Sequence, residues 1–93
     1  METSIAEQVN DLTRVTARIG AFVERFVLAR LREQRTFTAH ELRRFVMLCE
    51  PGIAPASPDR VLRALRQARR INYVVTNRRA SEYKPLEIDS AQF

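Results

Sequence analysis

The chain has 93 residues, enough for one small hydrophobic core and too few for two independent domains. With 45% apolar and 29% charged residues it reads as a folded globular protein, and no apolar run approaches the ~18 residues a membrane span needs. Sixteen basic side chains against 11 acidic ones give a formal charge of +5, so an anionic partner is expected. Fifteen of those 16 bases are Arg, a choice that a GC-rich coding sequence also produces, so the net charge and not the Arg preference carries that expectation.

A single Cys (Cys49) and a single His (His40) leave no internal disulfide and no Cys/His zinc site. The start Met1-Glu2-Thr3-Ser4 has neither the basic nor the apolar region of a signal peptide, so a cytoplasmic location is expected. The two glycines, Gly20 and Gly52, make no phosphate-cradling glycine loop, and one His supports no Ser/His/acid or Cys/His arrangement. The reading is therefore not an enzyme, and no cofactor is expected. His40 fits an exposed first-turn residue, and Cys49 a small buried apolar side chain.

In chain order, Ser4 with Glu7 forms a capping-box pattern that starts a helix near Ile5. Ile5, Val9, Leu12, Ile19, Val23 and Phe26 then fall in two columns of a seven-residue repeat. The pattern admits one helix to about residue 34 or two helices broken between Thr13 and Gly20; the β-branched and Gly positions in that interval favour two segments packed end to end. Residues 21–31 are apolar around more than half the circumference, so this helix is covered on more than one side. A dimer through Ile5, Val9, Leu12, Ile19, Val23 and Phe26 is preferred to a central core helix in a monomer.

The short β-prone segment 35–38 leads to a second capping box, Thr38 with Glu41, and a second helix carrying Leu42, Phe45, Val46 and Cys49 as its buried stripe. That helix ends before Pro51-Gly52, and the proline-rich stretch to Pro58 is a stiff connection. Ser57 as N-cap and Pro58 at the first helical position open a third helix running to about Arg70. Val61, Leu62, Ala64, Leu65 and Ala68 share its apolar side, while Asp59, Arg60, Arg63, Arg66, Gln67 and Arg70 occupy the opposite arc, about 140° to 260° from Val61. Residues 71–76 and 81–86 read as a β-hairpin with Arg78-Arg79 at its tip, Pro85 confining the second strand to an edge or an ending.

This order, together with Phe37-Thr38-Ala39-His40-Glu41-Leu42, Ser57-Pro58-Asp59-Arg60-Val61-Leu62-Arg63-Ala64-Leu65 and the run from Ile71-Asn72-Tyr73-Val74 to Tyr83-Lys84-Pro85-Leu86, resembles winged helix-turn-helix DNA-binding domains over about residues 19–87. The resemblance implies a mainly α fold with a small β-hairpin: an extra N-terminal helix over 1–18, the winged helix over 19–87 and a tail over 88–93. It also implies that the third helix enters the major groove of double-stranded DNA. Ser57, Asp59, Arg60 and Arg63 would then face base edges, with Arg66, Gln67 and Arg70 further along and Arg78 and Arg79 on a flanking phosphate or minor groove. Arg63 is the strongest base reader, because its guanidinium can bond guanine O6 and N7 together; Asp59 either accepts from cytosine N4 or stabilises the positive end of its own helix. Many members carry Gly after the recognition helix and in the wing, where this chain has Arg69-Arg70 and Asn77-Arg78-Arg79-Ala80. The implied function is that of a small sequence-specific transcriptional regulator, homodimeric on a two-fold-related site, with no small-molecule effector because no pocket-forming region lies outside the domain. Two alternatives remain: a protein-interaction module for an acidic partner, and a non-specific architectural nucleic-acid-binding protein.

Overall fold

A computed structural model describes residues 5–88, with side chains from Leu12 onward. The elements are α1 (Ile5–Arg32), β1 (Phe37–Thr38), α2 (Ala39–Cys49), α3 (Ser57–Gln67), β2 (Asn72–Asn77) and β3 (Glu82–Leu86). The three strands form one antiparallel sheet in the order β1-β3-β2, so the expected hairpin is joined by the short segment before α2, with Phe37 opposite Tyr83 and Thr38 opposite Glu82.

The expected break between Thr13 and Gly20 is absent: α1 is one helix of 28 residues. β-Branched residues weaken a helix by well under 1 kcal/mol each, and Gly by about 1. Burying Ile19 and Val23, both 0% exposed, returns about 1.5–3 kcal/mol apiece, so packing overrides propensity. The same burial corrects the expected dimer contact. Ile19, Val23 and Phe26 lie in the chain's own core with Leu42, Val46, Val61 and Leu65, and α1 is covered by α2, α3 and β3. Leu12 is half-buried beside α3, and the side chains of Ile5 and Val9, like the Ser4–Glu7 capping box, lie outside the described residues.

α1 closes in a turn with Gln34 at φ 55°, where the Arg35 N–H donates to the Arg30 carbonyl at 2.9 Å and the Gln34 N–H to Leu31 at 3.0 Å. This six-to-one closure usually recruits Gly; here a long polar side chain takes the left-handed position.

The capping box expected at α2 is present. The Thr38 hydroxyl accepts from the Glu41 N–H, and the Glu41 carboxylate accepts from the Thr38 N–H, both at 3.1 Å. Arg30 locks this corner from α1, donating to Glu41 Oε2 at 3.0 Å and to the Thr36 carbonyl at 3.2 Å while lying 4.9 Å from the Phe26 ring centre. Leu42 and Val46 are fully buried, with Phe45 and Cys49 partly so. Burial, the largest single influence on Glu41, pushes its carboxyl up, but the Thr38 N–H, Arg30 and the Thr38 hydroxyl together outweigh it and hold it below its ordinary 4.5. A depressed folded-state value means that this contribution is complete above pH ~4.5 and is lost as pH falls through the lower folded value. The Glu41 side chain is 42% exposed, which keeps the ionic part small. Thr38→Ala is therefore expected to lose about 1 kcal/mol at neutral pH and to keep most of the acid dependence, because the residue-38 N–H and Arg30, which lower the Glu41 carboxyl more than the hydroxyl does, remain, as read from urea denaturation at pH 7 and at pH 3.5. An acid slope much flatter than the parent's would make the Thr38 hydroxyl, and not Arg30 and the backbone N–H, the main support of the carboxylate.

α3 differs from expectation at both ends. Its N-cap is Ala56, in helical conformation and without a side-chain bond, because a turn already delivers the Ser57 N–H to the Ala54 carbonyl at 3.0 Å; Ser57 becomes the first helical residue and is buried. The helix stops at Gln67 instead of reaching Arg70. Arg69 adopts φ 61°, and the Arg70 N–H returns to the Leu65 carbonyl at 2.9 Å, the same closure as at α1. Arg69 thus holds a left-handed backbone conformation that ordinarily favours Gly.

Pro85 sits on the central strand opposite Tyr73, but β1 pairs no further than Tyr83, so beyond that point β3 is bordered on one side only and tolerates a residue without an N–H. The hairpin turns without glycine: Asn77 Oδ1 accepts from the Ala80 N–H at 3.1 Å and Ser81 takes φ 49°. The Ala39 N–H donates to the Ser81 carbonyl at 2.9 Å, fixing the start of α2 against the hairpin.

Candidate nucleic-acid interface

α3 buries Val61, Leu62 and Leu65 and exposes Arg63, Arg66 and Gln67, so the expected division of its faces holds for these residues. The remaining candidates separate. Ser57 is 4% exposed and cannot meet a ligand. Asp59 is drawn toward α2, where its Oδ2 lies 3.8 Å from Arg43 Nε while its Oδ1 is enclosed without a hydrogen-bond partner. That spacing is a charge contact and not a hydrogen bond; it sets α2 against α3 and leaves only Oδ2 of the carboxylate facing outward. Arg60 flanks α1, lining a shallow cleft of about 200 Å³ with Leu12, Arg63, Ala64 and Gln67.

Arg70 leaves the face altogether, because the turn at Arg69 directs it to α1, where Nε and Nη2 bond the Glu24 carboxylate at 3.0 and 3.3 Å. That bond and the Glu24 charge raise the Arg70 pKa further. Arg78 and Arg79 are exposed on the hairpin turn.

A second depression, of about 340 Å³, runs between α3 and the sheet, lined by Asp59, Arg63, Arg66, Tyr73, Ser81 and Tyr83 among others. Arg63 lines both depressions and so occupies the crest between them. The Arg66 guanidinium lies 4.9 Å from the Tyr73 ring centre, a cation–π contact that holds a long side chain in one orientation. Burial raises the Tyr73 hydroxyl pKa, against an opposing pull from Arg66. Tyr73 packs edge-on against Tyr83 at 5.2 Å, and Tyr83 lies 5.4 Å from Phe37. Sequence reasoning missed the tyrosines and Ser81. Their signal was the period-2 alternation of the hairpin, which sends Tyr73 and Val75 to one face of β2 and Tyr83 to the matching face of β3.

Arg18 pairs with Glu50, Arg30 with Glu41, Arg43 with Asp59 and Arg70 with Glu24, each joining elements behind or beside α3. Arg63, Arg66, Arg78 and Arg79 have no carboxylate partner among the described residues. Arg14, Arg25, Arg32, Arg35, Arg44 and Lys84 also have none, so what marks this surface is its grouping: Arg63 and Arg66 stand together on the exposed face of α3, and Arg78 and Arg79 on the hairpin turn.

His40 is exposed and Cys49 half-buried. Among the described residues no group of three or more His, Cys, Asp or Glu converges as a metal site, and no helix is long and apolar enough to cross a membrane. No protein-family model, curated protein or solved structure matches the chain.

Proposed function

We propose that the chain is a winged helix-turn-helix protein that binds double-stranded DNA sequence-specifically as a small transcriptional regulator, with α3 in the major groove and the β2–β3 hairpin on the flanking backbone. The observation that carries this reading is the pair Arg63 and Arg66 on the exposed face of α3, both lining the groove between that helix and the hairpin whose turn bears Arg78 and Arg79. The element order and the β1-β3-β2 sheet support it. Arg63, on the crest, is assigned to base edges, where a guanidinium bonds guanine O6 and N7; Arg78 and Arg79 are assigned to phosphates, which raise affinity without choosing sequence. Two copies would join through the first turns of α1, where Ile5, Val9 and Leu12 continue the heptad phase beyond the core.

Selection of the purified protein on a random duplex library at physiological salt, with its solution mass recorded, tests this reading. Enrichment of a two-fold-related motif by a dimer is the expected result. Retention without enrichment would favour architectural binding, and failure to bind would turn the arginine face toward an acidic protein.

A further inference from the structure

We infer that the groove between α3 and the hairpin is a seat for a single phosphate group, held by Arg66, Ser81 and Tyr83. The inference shares its surface with the nucleic-acid reading and rests on that reading only for where the phosphate comes from. The Ser81 and Tyr83 hydroxyls have no hydrogen-bond partner among the described residues, and both residues line this groove. Arg66 lines it too, positioned on the Tyr73 ring at 4.9 Å, and a guanidinium has five donors, so this stacking leaves donors for a ligand. Arg63 adds positive charge from the crest. The groove's one carboxylate, Asp59, lies 3.8 Å from Arg43, whose charge opposes it, so the lining carries Arg63 and Arg66 against a single acid that already faces a third Arg.

Two hydroxyl donors and a fork of guanidinium N–H groups match a tetrahedral oxyanion with several acceptor oxygens. The volume of about 340 Å³ exceeds a bare phosphate and leaves space for the group it esterifies. A phosphodiester of a DNA backbone and a small phosphate monoester present the same chemistry, and both are admitted.

The test uses the full chain, isotopically labelled for amide NMR, titrated with inorganic phosphate at constant ionic strength, and in parallel the affinity for a 20-base-pair duplex. Ser81→Ala with Tyr83→Phe removes both hydroxyls and keeps the ring stack on Phe37 and Tyr73; Tyr83→Phe alone serves if the pair shifts the denaturation midpoint. Loss of either charged hydrogen bond weakens binding about tenfold. The expected result is phosphate-dependent shifts at Ser81 and Tyr83 that the double variant abolishes, with duplex affinity reduced tenfold or more. Duplex affinity reduced in the variant with free phosphate silent supports the seat as a backbone site. Phosphate bound by the parent and lost in the variant, with no duplex bound, keeps the seat, assigns it to a small ester and removes the nucleic-acid reading. Equal duplex affinity in parent and variant with no phosphate shifts overturns the seat and leaves that reading standing. Silence in both titrations overturns both.

Discussion

Phe37→Ala is expected to leave little folded protein at 37 °C. Phe37 is 1% exposed, meets Phe26 edge-on at 5.4 Å and Tyr83 at the same distance, and joins α1 to the sheet through a strand of two residues. Truncating a buried Phe costs about 3–5 kcal/mol, against a total stability of about 5–15 kcal/mol, of which a small domain commands the lower part. The loss also releases Tyr83, so the wall of the α3–hairpin groove loosens with the core. Urea denaturation followed by circular dichroism gives the measurement. A midpoint within experimental error of the parent's would mean that the Phe26–Phe37–Tyr83 stack does not hold α1 against the sheet.

Arg63→Ala and Arg79→Ala are expected to damage DNA binding in different ways. Removing a guanidinium that bonds one guanine costs about 1–3 kcal/mol of discrimination, equivalent to roughly five- to 150-fold on the preferred site, with a smaller loss on unrelated duplex. Removing a phosphate contact weakens all sequences alike and lowers the salt slope by about 1. Titrations of both variants on selected and scrambled duplexes across a salt series separate the two patterns. Uniform loss from both variants would assign α3 to the backbone and leave no direct base reading.

The elements read most readily from sequence were those with local chemical punctuation. Thr38 with Glu41 marked the start of α2, and Pro51-Gly52 its end, because caps and breakers act within a few residues. The hairpin followed from two β-prone runs around a polar tip. Local signals failed where contacts distant in sequence decided the outcome. Ile19 is held in helix by its place in the core, which the low propensity of residues 13–20 could not reveal. Arg70 shared a helical arc with Arg63 only while the helix was extended past Gln67; a left-handed turn at Arg69 carries no signature when Gly is absent, and the Glu24 partner lies 46 residues away. Ile19, Val23 and Phe26 of the heptad pattern are buried in the chain's own core, because sequence periodicity does not distinguish a seam against a second copy from one against the chain's own α2 and α3.

The unbroken α1 also has a mechanical consequence. At 28 residues it is a rod about 42 Å long, gripped by the core from Ile19 to Val27 and passing α3 at Leu12. Rotation is transmitted along such a rod without slack. One residue inserted ahead of Ile19 would turn everything before it by about 100°, and four would return it to within about 40° of its first setting. The azimuth at which any partner of the first turns meets the arginine face is therefore set by residue count, as a key's profile is set by the depth of its cuts.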